Sequence, residues 1–202
     1  MVKIQAERLD DMNLPRHGHS LLYLNGEPTA IGGHTTSFVP TPTLEYYKDG
    51  KWHLVQTAFT HDDGCAVQLS TGKVLIVGGH EKNLGVGQSF EAELYDPVAH
   101  TCEGFASLDT KRVKPSALAM DDGTAVIAGN WYYRDAIEMY DGKESFVHVK
   151  DVSIARSTPH ILRISRDDAI IVGHADSVGR QITLPVMDRL RSESYHVPLL
   201  ET

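Results

Sequence analysis

Leu75-Ile76-Val77-Gly78-Gly79 is a short apolar run closed by two glycines, and the chain repeats it. Thr29-Ala30-Ile31-Gly32-Gly33 precedes it; Val126-Ile127-Ala128-Gly129-Asn130 and Ile170-Ile171-Val172-Gly173-His174 follow. The first glycines of the four runs stand 46, 51 and 44 residues apart. Runs this short and rich in β-branched residues read as strands. Upstream of each lies a second apolar run, reached across Asn25-Gly26, Ser70-Thr71-Gly72, Asp121-Asp122-Gly123 or Ser165-Arg166-Asp167. Glycine in such turns supplies the positive φ that tight hairpins require. Each unit therefore contains a hairpin.

Downstream of three of the glycine runs stands Glu-x-Tyr, as Glu45-Tyr46-Tyr47, Glu93-Leu94-Tyr95 and Glu138-Met139-Tyr140. A polar turn follows, such as Lys48-Asp49-Gly50 or Asp141-Gly142-Lys143, and then a last run opening near Trp52, Phe146 or Tyr195. That makes four strands per unit. In the fourth unit Met187-Asp188 takes the place of Tyr-Asp. No window carries a 3.6-residue apolar period, so almost no helix is expected. A lone four-stranded sheet exposes two apolar faces, and stacking on like sheets buries them. Four strands in roughly 45–50 residues fit a β-propeller blade.

The chain resembles the kelch family. The residues that carry the likeness are the glycine doublets, the Tyr-Asp steps Tyr95-Asp96 and Tyr140-Asp141, the aromatic Trp52, and Pro15-Arg16-His17-Gly18-His19-Ser20 as a unit opening. It departs at Cys102, which holds the tryptophan position, and at Gly129-Asn130 and Gly173-His174, which replace the doublet. The resemblance implies an all-β propeller region over residues 1–202, with units near 16–57, 61–106, 112–149 and 156–198. A lone outer strand over 2–8 would precede them. Such a strand needs a partner sheet, so further blades or domains are expected outside this chain. The array is then an incomplete ring or part of a larger propeller; a closed four-bladed ring is the alternative.

Composition limits the function. The chain has 202 residues, 41% hydrophobic and 23% charged, as expected of one or two globular domains. A net charge of −8 argues against a general nucleic-acid binder. No stretch approaches the ~20 apolar residues of a membrane span. Met1–Arg8 is no secretory leader, so the default location is cytoplasmic, or extracytoplasmic if a leader has been removed. Cys65 and Cys102 make no disulfide framework and read as reduced or buried thiols.

Candidate site residues come from repeat positions. Arg16, His61, Arg112 and Arg156 each stand eight residues before the end of an innermost strand. On one face they would form a positive ring able to receive a carboxylate, a sulfate or an acidic peptide. In kelch repeats this arginine also serves the blade junction by bonding loop carbonyls, and both roles stay open. His34 and His80 share a second position, with His174 one place earlier. His17-x-His19 offers two imidazoles on one strand face but no complete metal-ligand set, so neither a metal nor a cofactor is expected.

Loops 34–42 and 80–88 would carry Phe38 and Leu84 as apolar tips. Trp131-Tyr132-Tyr133-Arg134 has hot-spot composition, suited to a protein partner or a sugar ring. Asp62-Asp63 stands at the channel mouth beside His61. No catalytic signature appears: Ser70-Thr71-Gly72-Lys73 lacks the glycines of a phosphate loop, and no Gly-x-Ser-x-Gly occurs. The expected function is a non-catalytic module that binds a protein, small molecule or carbohydrate at the channel mouth. The alternative is a carbohydrate-acting enzyme of the mutarotase or oxidase type, with Asp62 or Asp63 beside Arg16. An adaptor role lacks a companion domain in this chain.

Overall fold

The computed structural model describes residues 6–81, 87–131, 136–151, 157–165, 168–174 and 186–191, and no helix occurs among them. The first unit holds β1 (Ser20–Leu24), β2 (Glu27–Ile31), β3 (His34–Thr35), β4 (Val39–Pro40), β5 (Thr43–Lys48) and β6 (Lys51–Gln56). Its sheet runs β1-β2-β5-β6, and β3 and β4 pair as a separate ribbon. The second sheet orders β7 (Cys65–Gln68), β8 (Val74–Val77), β9 (Ala92–Asp96) and β10 (Thr101–Phe105). The third orders β11 (Ser116–Ala119), β12 (Ala125–Ala128), β13 (Ala136–Tyr140) and β14 (Phe146–Asp151). The fourth has three described strands, β15 (Ser157–Arg163), β16 (Asp168–His174) and β17 (Val186–Arg191). Residues 6–12 hold no strand, so the expected outer strand over 2–8 is not seen there, and residues 1–5 lie outside the described residues.

The turns follow their local chemistry. Asn25 and Gly26 close β1-β2 with φ of 51° and 89°, and Asp49 and Gly50 close β5-β6 with 51° and 81°. Two successive positive φ values match the right-handed twist of the flanking strands. Within β16 and β17, Ile171 pairs with Asp188, as Ile76 pairs with Glu93 and Ile127 with Glu138. Asp188 therefore takes the place of the repeat glutamate, not of the aspartate that follows the tyrosine. Spacing along the sequence puts it three positions off.

The sheets stack in chain order, with β1 beside β7, β7 beside β11 and β11 beside β15. Each junction is an apolar layer. Leu24, Ile31 and Leu44 of the first sheet meet Val74, Ile76 and Tyr95 of the second. Leu69, Leu75 and Val77 of the second meet Ala125, Ile127 and Tyr140 of the third. Ala128 and Ile137 of the third meet Ile161, Ala169 and Ile171 of the fourth. Alternation along each strand gives every internal sheet one face for each neighbour. Among the described residues the sheets do not close into a ring.

The glycine doublets sit where one unit meets the next. Gly33 N donates to His61 O at 3.1 Å, and Gly79 N donates to Arg112 O at 2.8 Å. Gly79 has φ of +113°, and a Cβ there would come within 2.8 Å of Asp62 O. Gly50, at φ +81°, has nothing within 4 Å of such a Cβ. Gly50→Ala is expected to cost about 1–2 kcal/mol, the penalty of the left-handed backbone alone. Gly79→Ala should cost clearly more, because the clash with Asp62 O adds to that penalty. Paired urea-unfolding curves measure the difference.

Candidate functional site

Arg16, His61 and Arg112 occupy equivalent places, each buried against a glutamate of its own sheet. Arg16 Nε and Nη2 donate to Glu45 Oε1 at 3.1 and 2.9 Å. Nη1 donates to Gly32 O and Thr43 O, both at 2.8 Å, and Nη2 to Thr43 Oγ1 at 2.7 Å. All five guanidinium protons are thereby used. Arg112 Nε and Nη2 donate to Glu138 Oε2 at 2.9 and 2.7 Å, and Nη1 to Gly129 O at 3.1 Å. His61 places Nε2 3.1 Å from Glu93 Oε1 and Nδ1 2.8 Å from Gly78 O. Both ring nitrogens face acceptors, so the two bonds coexist only when the ring carries both protons.

Each glutamate also holds the chain that leads into its unit. Glu45 accepts from Asn13 N and Leu14 N, Glu93 from Ala58 N and Phe59 N, and Glu138 from Asp109 N and Thr110 N, at 2.6–3.1 Å. Burial alone would raise the Glu93 pKa. The hydrogen bonds from His61, Ala58 and Phe59, with the His61 charge, outweigh burial and hold it below the ordinary carboxylate value. The contacts made by Arg16, His61 and Arg112 are those of the junction role. Arg156 lies outside the described residues.

The loop end is built by the residues that follow. Gly18, Asp63, Lys114 and Thr158 share one repeat position, and all have left-handed backbone, with φ of 64°, 57°, 53° and 48°. That conformation is rare for a non-glycine residue and most strained for β-branched threonine. Asp63 N donates to Gly18 O at 3.0 Å and Lys114 N to Asp63 O at 2.7 Å, so backbone bonds link neighbouring units at this end. His34, His80 and Trp131 also share a position: their N–H groups donate to His17 O, Asp62 O and Val113 O at 2.8, 2.6 and 3.0 Å.

These two sets of residues converge. Lys114 Nζ lies 3.6 Å from Asp63 Oδ2 and 4.9 Å from the centre of the exposed Trp131 ring. His80 Nε2 lies 3.9 Å from the same Asp63 oxygen, and its Nδ1 donates to Gly87 O at 3.0 Å. Beside them His34 Nδ1 stands 2.7 Å from Asp62 Oδ1. The His34 ring is stacked between exposed His17, at 5.6 Å, and the Phe38 tip, at 4.8 Å. Ser37 and Phe38 turn the β3–β4 ribbon with φ of 74° and 54°, which folds Phe38 back onto His34.

His19 Nδ1 is buried with no hydrogen-bond partner. Burial first, then the charges of Arg16 and His17, hold the His19 pKa below its ordinary value. Among the described residues no three His, Cys, Asp or Glu side chains converge as metal ligands. Leu84, Tyr132, Tyr133 and Arg134 lie outside the described residues. The asymmetric end thus has an indole beside a lysine and an aspartate, next to a histidine–aspartate pair. The sequence reading names Trp131, His34 and His80, takes Lys114 as a solvated side chain rather than a site residue, and does not pair His34 with Asp62. The repeat alignment that equates Lys114 with Asp63 was the available signal.

Cys65 and Cys102 are free thiols, each pushed up to about 12, first by burial. A scan of known protein families and a search of curated proteins find no match to this chain.

Arg112→Met should cost about 3–5 kcal/mol in urea unfolding, because Glu138 is left charged and buried. Arg8→Met removes the exposed Arg8–Asp11 pair and should cost less than about 1 kcal/mol. Glu93 has a depressed folded pKa, so its contribution is present above the unfolded carboxylate value. It is lost as pH falls through the lower folded value. Glu93→Gln should therefore flatten the acid limb of a stability–pH curve.

Proposed function

We propose that this chain is a kelch-type β-propeller region that serves as a non-catalytic binding module, with its ligand taken at the loop-bearing end. The support for the fold is the stacking of four-stranded sheets with innermost strands side by side, together with the repeat pattern of the sequence. The observation that carries the function is the grouping of Trp131, Lys114 and Asp63 at the end where backbone-locked positions of successive units meet. An exposed indole offers a flat apolar plate. The adjacent lysine and aspartate offer a donor and an acceptor to hydroxyl or amide groups at its edge. A ligand with one apolar face and a polar rim fits this chemistry, and a carbohydrate has both. The β3–β4 ribbon and its Phe38 tip extend the same end and suit it to a larger partner.

The short His34–Asp62 contact favours a second reading, a carbohydrate-acting enzyme of the mutarotase type. A carboxylate on one imidazole nitrogen orients the ring and supports proton transfer at the other. Arg16, the basic partner expected for such a site, is engaged with Glu45 instead.

A glycan array and a peptide library probed with wild type, Trp131→Ala and Lys114→Ala distinguish the readings. The binding module predicts a ligand class whose affinity falls about tenfold or more in Trp131→Ala, with the fold intact. Turnover of a sialic acid that is lost in His34→Gln would establish the enzyme instead. Ligands insensitive to both binding variants would reject this site.

A further inference from the structure

His61 stands where the first and third units carry Arg16 and Arg112. All three bases hold the frame in the same way, each bonding a glutamate of its own sheet and the carbonyl of the first glycine of its unit. A guanidinium keeps its charge and its five donors across the whole physiological range. An imidazole has one donor when neutral and two when charged, and it changes state near neutral pH. The His61 side chain is 2% exposed, and both of its nitrogens face acceptors, Glu93 Oε1 and Gly78 O. Loss of one proton turns a ring lone pair toward a buried acceptor. It also leaves the fully buried Glu93 carboxylate without its cation.

The other ionisable groups around the ring are engaged or neutral. Toward the first unit, Arg16 lies beyond Gly32 and is tied to Glu45. Toward the third unit, Arg112 lies beyond Gly78 and is tied to Glu138. Asp62 faces His34, and Asp63 faces Lys114 and His80. The thiol of Cys65 in β7, and that of Cys102, which feels the Glu93 charge, are pushed up to about 12, first by burial, and stay protonated.

We propose that His61 is a proton-dependent catch on the second unit: charged, it locks the entry segment and the loop end as the two arginines do, and neutral, it releases them. The residues it seats join the units at that end. Gly33 N donates to His61 O, His80 N to Asp62 O and Asp63 N to Gly18 O, at 3.1, 2.6 and 3.0 Å. Against its burial, hydrogen bonds from His61, Ala58 and Phe59 hold Glu93 below the ordinary carboxylate value, so mild acid leaves the carboxylate charged. The catch is therefore closed at mildly acidic pH and opens as the pH rises and His61 gives up its second proton. It belongs to the frame and stands apart from the ligand read at the loop end.

Native-state hydrogen exchange tests the catch at about pH 5.5 and about pH 8.5, on either side of the ordinary imidazole value. Protection factors correct for the intrinsic pH dependence of exchange. In wild type the Ala58 and Phe59 amides, which donate to Glu93, should lose protection about tenfold or more at the higher pH, the worth of one charge-assisted hydrogen bond. The Asp109 and Thr110 amides, which donate to Glu138, should keep theirs. His61→Arg should give the high value at both pH values and His61→Gln the low value at both, which separates His61 from the other histidines. Nitrogen NMR shifts of the His61 ring should show both nitrogens protonated at the lower pH. Equal wild-type protection of Phe59 at the two pH values overturns the inference. So does a loss of the same size in His61→Arg, or a ring with one protonated nitrogen at about pH 5.5.

Discussion

The buried pairing of a basic side chain with a glutamate holds each unit to its surroundings. Arg16–Glu45, His61–Glu93 and Arg112–Glu138 each tie three pieces of chain. The base bonds the carbonyl of the first glycine, the carboxylate bonds two amides of the incoming segment, and in two units the base's own carbonyl takes an amide from the preceding doublet. Burying two charges is costly, and the attraction between them need not repay it. Here the desolvated atoms are bonded to backbone groups that would otherwise lack partners at the turns. The pairs therefore bring satisfaction of the loop backbone as well as attraction between charges.

That arrangement explains the glycines. The carbonyl of Arg112 can approach Gly78, and that of His61 can approach Gly32, only because no side chain intervenes. It also explains where variation is tolerated. The paired residues are fixed inside, while the residues that follow them alternate in chemistry: nothing at Gly18, a carboxylate at Asp63, an ammonium at Lys114 and a hydroxyl at Thr158. A frame that repeats and an end that does not is the division expected of a recognition scaffold.

The hairpins, the glycine runs and the all-β class were legible because they depend on neighbours within a few residues. Asn25-Gly26 and Asp49-Gly50 needed nothing beyond their own φ preferences. The role of Arg16, His61 and Arg112 was legible only as two alternatives, since their carboxylates lie 29, 32 and 26 residues away. The glutamates themselves were noticed as part of Glu-x-Tyr, but their inward direction follows from strand register. The same limit misplaced Asp188, because loops of unequal length hide which residues stand opposite. The His34–Asp62 contact joins two units, and no local pattern encodes it.

Residue-resolved hydrogen exchange on the native chain tests the pairing most directly. The amides of Phe59 and Thr110 lie in loops yet donate to Glu93 and Glu138, and Gly79 donates across a junction. They should exchange as slowly as strand amides in β8 and β12, since opening any of them requires breaking a buried charge pair or a sheet junction. Fast, loop-like exchange at all three, with β8 and β12 still protected, would contradict the claim that these pairs hold the units together.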